Sequence, residues 1–132
     1  MGRSLIIDTN VLIAFERDPA AIAPYADDDL AIPAIAIAEF RVGIVRESDP
    51  SRAARRLAQL GEIQDLMPVL GYTERTAERH AELLAWCRRE GQPRGAHDLI
   101  VAAHAAETGR TILSRDVRAT YGGLPGVLAI EP

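Results

Sequence analysis

The chain has 132 residues and a formal net charge of −4, with 48% hydrophobic and 26% charged residues. This length is typical of one domain that buries roughly two thirds of its unfolded surface, so we predict a single domain over residues 1–132. All 15 basic residues are arginine, which excludes P-loop nucleotide binding and Schiff-base chemistry because both use a lysine. The sequence shows neither a secretory signal nor an apolar run near the roughly 20 residues that span a bilayer, so we expect a cytoplasmic protein without a membrane partner.

The chain begins with an alternation of strand and helix patterns. Residues 4–8 are predicted to form a buried strand, and a helix is predicted from Thr9 onward. Asp18 followed by Pro19 is a capping pair that predicts the start of a short helix. Residues 30–32 then predict a second short strand.

The middle of the chain is predicted to be mainly helical. Pro33 ends the second strand, and an apolar helix is predicted to continue to about Val45. Asp49 is predicted to cap the next helix, and Thr73 the one after it. Between these two helices, residues 67–70 predict a third strand, placed at an edge of the sheet because of its proline.

The last third of the chain returns to shorter elements. A loop over residues 91–95 leads to a helix that Asp98 is predicted to open, and a strand is predicted over residues 111–114. Residues 116–121 predict a polar turn or short helix, and residues 127–130 a final strand. Because strands alternate with helices almost throughout, we predict a three-layer α/β/α sandwich with a mainly parallel sheet of about four to five strands.

Four acidic residues stand where an apolar segment ends or is interrupted: Asp8, Glu39, Asp98 and Asp116. Carboxylates are costly to bury unless they are paired or bind a metal ion. In parallel α/β folds, ligands bind beyond the carboxyl ends of the strands, where Asp8 and Asp116 are predicted to lie. If the four acids converge, they predict a site for a divalent cation, and oxygen ligands favour Mg²⁺ or Mn²⁺.

Each acid also has a simpler interpretation that is compatible with metal binding. Asp8 and Asp98 have the position of helix caps, where a carboxylate is favoured by the helix dipole. Asp116 lies in a turn, where acids commonly bind backbone amides. Glu39 is the only charged residue between positions 30 and 40, and we expect it to lie alone on a buried face.

A cluster of carboxylates has a chemical use once a cation is present. Like charges about 4 Å apart repel by roughly 4 kcal/mol at an effective dielectric constant of 20, and a bound cation reverses that interaction. Metal-assisted chemistry of this kind is suited to phosphodiester hydrolysis. His97 and His104 are seven residues apart, but the chain offers too few further ligands for a zinc site, so we interpret them as packed or surface histidines.

Four segments in order along the chain, residues 5–10, 38–43, 97–103 and 113–116, resemble the motifs of PIN-domain ribonucleases. Within that family the chain is most similar to the small VapC-type toxins of type II toxin–antitoxin pairs. The resemblance covers essentially the whole chain, including residues 124–127, and implies a PIN-like fold.

The resemblance also implies site roles. Asp8 and Asp98 would be the principal ligands of the catalytic Mg²⁺ or Mn²⁺ ion. Glu39 and Asp116 would complete the catalytic, metal-binding site, either directly or through water. Two residues are implied as supporting groups: Asn10 and Ser114.

The function implied by the resemblance is a metal-dependent endoribonuclease toxin that cuts tRNA or rRNA. Such proteins form homodimers, and a cognate antitoxin neutralises them by inserting a peptide into the active groove. This chain has Ala34 and Ala36 where the family often has hydroxyl residues, so Glu39 lacks that source of support.

Two other classes of protein compete with this interpretation. Aspartyl-phosphate phosphatases and receiver domains rely on a lysine, and the phosphatases also need an aspartate where this chain has Asn10. The absence of lysine argues against both. A PIN-like module that binds RNA or protein without cleaving RNA stays open as the alternative function.

Overall fold

The computed structural model describes residues 2–132, which form five strands and five α-helices. The strands are β1 (Ser4–Ile7), β2 (Asp29–Pro33), β3 (Val69–Leu70), β4 (Thr111–Leu113) and β5 (Ala129–Ile130). The α-helices are α1 (Thr9–Arg17), α2 (Ala34–Val45), α3 (Pro50–Leu66), α4 (Glu74–Glu90) and α5 (Ala96–Thr108). Short 3₁₀ segments cover Pro19–Tyr25, Val117–Ala119 and Tyr121–Gly123.

The strands form one sheet in the order β3-β2-β1-β4-β5, and every neighbouring pair is parallel. The first strand is therefore central, with β2 on one side and β4 on the other. β3, which like β5 has two residues, lies at an edge of the sheet, as its preceding Pro68 predicts. Because all strands run in the same direction, their carboxyl ends meet at one edge of the sheet.

Alternating side chains of the central strand enter two separate hydrophobic clusters. Leu5 and Ile7 pack with α1, α2 and α3, where Phe40 is a large buried member of the cluster. Ile6 points to the opposite face and packs with α4 and α5, where it belongs to the same cluster as Leu99. Full burial of each such side chain contributes about 1.5–3 kcal/mol. The predicted three-layer fold with a parallel sheet is therefore confirmed.

Local sequence features explain where most helices begin and end. The Asp49 carboxylate accepts the Ser51 N–H at 2.9 Å and caps α3, as predicted. At the C-terminus of α5, Gly109 adopts a left-handed conformation (φ +68°) that terminates the helix. In the described part of the chain, no helix combines the length and hydrophobicity needed to cross a membrane.

His104 is the most deeply buried titratable side chain of α5, with 1% of its surface exposed. Among the described residues, neither ring nitrogen has a hydrogen-bond partner, and the nearest carboxylate, on Glu107, lies 4.0 Å from Nδ1. Burial lowers the pKa of His104, and the charge of Glu107 opposes that shift only in part. The folded protein therefore binds a proton at this site less readily than the unfolded chain does.

This difference predicts a pH-dependent loss of stability. The contribution of neutral His104 is fully present above the unfolded pKa of about 6.5 and is lost as the pH falls through the lower folded pKa. In that window the free energy of unfolding should decline by up to about 1.4 kcal/mol per pH unit more in the wild type than in His104→Leu. Urea unfolding of both proteins between acidic and neutral pH measures the difference, and parallel pH profiles would contradict it.

Candidate active site

The carboxyl edge of the sheet brings together residues from distant parts of the chain. Asp8 directly follows β1, and its N–H donates to the carbonyl oxygen of Leu113 in the neighbouring β4 at 3.0 Å. Asp116 follows β4 after a short turn, and Asp98 lies in the first turn of α5. Asp8 and Asp116 therefore follow two neighbouring strands at this edge, and Asp98 is contributed by α5.

Asp8 is buried, with 6% of its surface exposed, and both of its carboxylate oxygens accept hydrogen bonds. Oδ1 accepts the N–H of Thr9 at 2.9 Å, so Asp8 caps α1. Oδ2 accepts the hydroxyls of Ser114 at 3.0 Å and Tyr121 at 2.8 Å, and the amide of Asn10 at 3.4 Å. Asp8 therefore caps α1 and also faces the other acids, and four hydrogen-bond donors fix the orientation of its carboxylate.

Asp98 lies beside Asp8, but the prediction that Asp98 opens α5 is wrong. The N-cap is Gly95, and Asp98 occupies the third position of a helix that begins at Ala96. From there its Oδ1 accepts the hydroxyl of Tyr121 at 3.3 Å. In the described part of the chain, no donor reaches the other carboxylate oxygen of Asp98.

The electrostatic environment of Asp98 reflects the proximity of the other acids. Its pKa is raised above the usual range, first by burial and then by the negative charge of Asp8, with a further contribution from Asp116. The hydrogen bond from Tyr121 and the charge of His97 oppose the shift. These three carboxylates therefore form one acidic cluster in which an added positive charge would be favourable.

Asn10 and Ser114, the two residues predicted as supporting groups, connect the turn after β4 to the first helix. The Ser114 hydroxyl donates to Asp8 and accepts the N–H of Asp116 at 3.0 Å. Asn10 donates its amide to Ser114 Oγ at 3.2 Å, and its Oδ1 accepts the N–H of Arg115 at 2.8 Å. This network holds the backbone that carries Asp116 against the residues around Asp8.

Glu39 lies apart from the aspartate cluster, and the expectation that its side chain is buried is wrong. The side chain is 35% exposed, and its Oε1 lies 3.3 Å from Nδ1 of His97, the residue preceding Asp98. The apolar residues around Glu39 are distributed over all sides of α2, so the helix has no single buried face on which this acid must lie. Among the described residues, the polar contact of the Glu39 side chain is therefore with His97. The nearby Ala34 and Ala36 have no hydroxyl group that could contact it.

The cluster suits a hard cation that retains water. Within the described residues, no three His, Cys, Asp or Glu side chains are arranged to hold one metal ion together. Magnesium commonly binds proteins through one or two carboxylates and keeps several waters or substrate phosphates as further ligands. Asp8 and Asp98 provide such an oxygen-only pair, so the donor set fits Mg²⁺ or Mn²⁺ rather than zinc.

Sequence reasoning missed one residue of this site, Tyr121. Its hydroxyl contacts both Asp8 and Asp98, yet its position, Thr-Tyr-Gly-Gly, offered no motif that distinguishes a site tyrosine from a core aromatic residue. His97 was interpreted only as a packed or surface residue, whereas its ring contacts Glu39. Both contacts depend on the fold rather than on local sequence spacing.

Comparisons with known proteins agree with the fold and the motifs. The family model described as PIN domain matches residues 5–121. Ribonuclease VapC4 of Mycobacterium tuberculosis is 31% identical over 97% of this chain and 96% of its own length. The chain therefore belongs to the PIN-domain family, among its VapC members.

Solved structures show the same architecture. The VapBC-5 toxin–antitoxin structure from Mycobacterium tuberculosis has a chain that matches with a TM-score of 0.77 and 28% identity over 98% of both chains. A chain of VapBC2 from Rickettsia felis, solved bound to a promoter DNA fragment, matches with a TM-score of 0.84 over 97% of this chain and 98% of that one. At 16% identity the second match concerns the fold alone.

Proposed function

We propose that this protein is a metal-dependent endoribonuclease toxin that hydrolyses RNA phosphodiester bonds and is neutralised by a cognate antitoxin. The observation that carries the proposal is the meeting of Asp8 and Asp98 at the hydroxyl of Tyr121, on the carboxyl edge of the parallel sheet. Membership of the PIN-domain family and similarity to proteins named ribonuclease VapC support it. Transfer RNA and ribosomal RNA are the substrates proposed from the resemblance.

In this proposal Asp8 and Asp98 hold the Mg²⁺ or Mn²⁺ ion, and Asp116 and Glu39 complete the site directly or through water. A divalent cation supplies Lewis acidity to a phosphodiester and favours the ionised form of a water molecule. The carboxylates of Asp8, Asp98 and Asp116 keep the centre negative, so it attracts a cation and binds a phosphate poorly without one.

The chain's own residues prepare this centre before any ligand is present. Ser114 and the N–H of Thr9 hold the Asp8 carboxylate in place, so little conformational entropy is lost there when a ligand binds. Asp98 is held by fewer contacts, and its pKa is raised first by burial and then by the negative charge of Asp8. A cation relieves that repulsion.

We also propose a protein partner and a homodimer. The solved relative with 28% identity is part of a VapBC toxin–antitoxin system, which supports a cognate antitoxin for this chain. The homodimer is proposed from the family resemblance, and Val42 and Val45 add exposed apolar surface on α2 that an interface would cover. A short reading frame for a DNA-binding protein directly upstream of the gene would support the antitoxin assignment.

Incubation of the purified protein with total RNA tests the proposed activity. We expect discrete cleavage of tRNA or rRNA with Mg²⁺ or Mn²⁺, and intact RNA with a chelator, because the carboxylates alone cannot neutralise a phosphate. Re-addition of the metal ion after chelation should restore cleavage, and gel electrophoresis or end sequencing detects the products. RNA that stays intact under all conditions, while the protein still binds it, would instead favour the non-cleaving module.

A further inference from the structure

Tyr121 is the structural link between the two principal acids. Its hydroxyl oxygen lies 2.8 Å from Asp8 Oδ2 and 3.3 Å from Asp98 Oδ1, and the side chain is only 3% exposed. A tyrosine hydroxyl carries one proton, which the carboxylate oxygens of Asp8 and Asp98 can both accept at these distances. A single buried donor is thus shared between the residues proposed to hold the metal ion.

The backbone around Tyr121 is arranged to deliver this hydroxyl. Thr120 has φ +46° and ψ +45°, a left-handed conformation that is unfavourable for a β-branched residue. Its carbonyl accepts the N–H of Gly123 at 3.0 Å, which closes a short 3₁₀ turn. The ring of Tyr121 itself belongs to the hydrophobic cluster between the sheet and α4 and α5. Strained backbone of this kind persists where the surrounding packing enforces it, and it is common at functional sites.

The two acids depend on Tyr121 to different extents. Asp8 has other donors, including the Thr9 N–H and the Ser114 hydroxyl, so it keeps its orientation without the tyrosine. Among the described residues, the Asp98 carboxylate accepts a hydrogen bond from one side chain, that of Tyr121. The hydroxyl therefore connects the Asp98 carboxylate, which has fewer donors, to the Asp8 carboxylate, which has several.

We propose that Tyr121 is a positioning residue for metal binding, whose hydroxyl sets the Asp98 carboxylate relative to Asp8 before the cation arrives. This inference rests on the proposed function and extends it to a residue outside the acidic motifs. Partners that orient metal ligands in this way typically change metal affinity or activity by about 10–100-fold when they are removed.

Tyr121→Phe removes the hydroxyl and keeps the ring, so it separates positioning from packing. We expect its dissociation constant for Mn²⁺, measured by electron paramagnetic resonance of the free ion, to rise about tenfold over the wild-type value. Cleavage of RNA at limiting Mn²⁺ should fall by a similar factor and recover at saturating Mn²⁺, with an unchanged KM for RNA. Tyr72→Phe is the matched control, because Tyr72 bonds His80 at 2.9 Å and is not part of the acidic cluster.

The possible outcomes separate this inference from the proposed function. Wild-type Mn²⁺ affinity in Tyr121→Phe, together with lost binding in Asp98→Asn, overturns the positioning role and leaves the nuclease assignment standing. Equal weakening by Tyr72→Phe also overturns it, because the effect would then be general. Absence of both Mn²⁺ binding and cleavage in the wild type overturns both proposals. Circular dichroism checks the fold of each variant, and Tyr121→Leu provides a second protein without the hydroxyl should Tyr121→Phe fail to fold.

Discussion

Asp98→Asn is expected to reduce metal-dependent RNA cleavage by at least about a thousandfold, because a catalytic cation contributes several kcal/mol of transition-state stabilisation. The amide cannot supply the negative charge that holds the cation. The same variant should make the metal-free protein more stable. Asp98 Oδ1 and Asp8 Oδ2 lie at 3.3 and 2.8 Å from one hydroxyl oxygen and so are at most about 6 Å apart, where two charges repel appreciably.

The gain in stability has a defined pH dependence. Two unit charges about 6 Å apart repel by roughly 3 kcal/mol at an effective dielectric constant of 20, and partial exposure of Asp98 reduces the expected gain to about 1 kcal/mol. Because the folded pKa of Asp98 is raised, proton uptake stabilises the wild-type fold at low pH, and this contribution is lost as the pH rises through the folded pKa. The advantage of Asp98→Asn should therefore be small in acid and full at neutral pH.

Asp8→Asn provides a contrast within the same site. It should also abolish cleavage. In contrast to Asp98→Asn, it should destabilise the metal-free protein by about 1–3 kcal/mol, because the NH2 group of the amide would face the hydroxyls that now donate hydrogen bonds to Asp8 Oδ2. Asp65→Asn, an exposed aspartate of α3, is the matched control and should change neither property. Cleavage assays and urea unfolding in a chelator measure both effects. Retained cleavage in both Asp8→Asn and Asp98→Asn would contradict the site assignment.

The fold was predictable because its signals are local. Short apolar runs, such as the one ending before Asp8, form the buried strands, and capping residues such as Asp49 mark where helices begin. The parallel order of strands then places Asp8 and Asp116 at the same edge of the sheet without knowledge of any tertiary contact. The sandwich architecture and the family membership predicted from the sequence are accordingly confirmed.

The details of the candidate site were less predictable because they depend on tertiary contacts. Glu39 was expected to be buried, but an apolar helix does not reveal which of its sides faces solvent, and the carboxylate contacts His97 instead. Tyr121 is separated from Asp8 by 113 positions, so no spacing rule relates the two residues. Asp98 could be placed near a helix start, but whether it caps the helix or lies inside the first turn depends on the conformation of Gly95. The assignment of the four acids as metal ligands stays a prediction.

Arg56→Ala is expected to lower the free energy of unfolding by about 3–5 kcal/mol, the largest change in stability we predict. Arg56 Nε on α3 lies 3.1 Å from Oε1 of Glu16 on α1, and the Glu16 side chain is only 7% exposed. The guanidinium also lies over the ring of Phe40 on α2, with 4.9 Å between Cζ and the ring centroid. One side chain therefore joins three helices on the same face of the sheet.

The cost arises mainly from the partner that is left behind. Without Arg56, the Glu16 carboxylate stays in a buried position with no cation to compensate its charge, and the cation–π contact with Phe40 is lost as well. Arg52→Ala is the matched control on the same helix, since Arg52 is exposed and such pairs contribute at most about 1 kcal/mol. The expected loss comes from the unpaired charge of Glu16 rather than from the lost volume of Arg56. The double variant Arg56→Met/Glu16→Leu, which removes that charge, should therefore recover much of the lost stability. Thermal and urea unfolding of the four proteins measures these differences, and a double variant no more stable than Arg56→Ala would show that the buried carboxylate is not the cause.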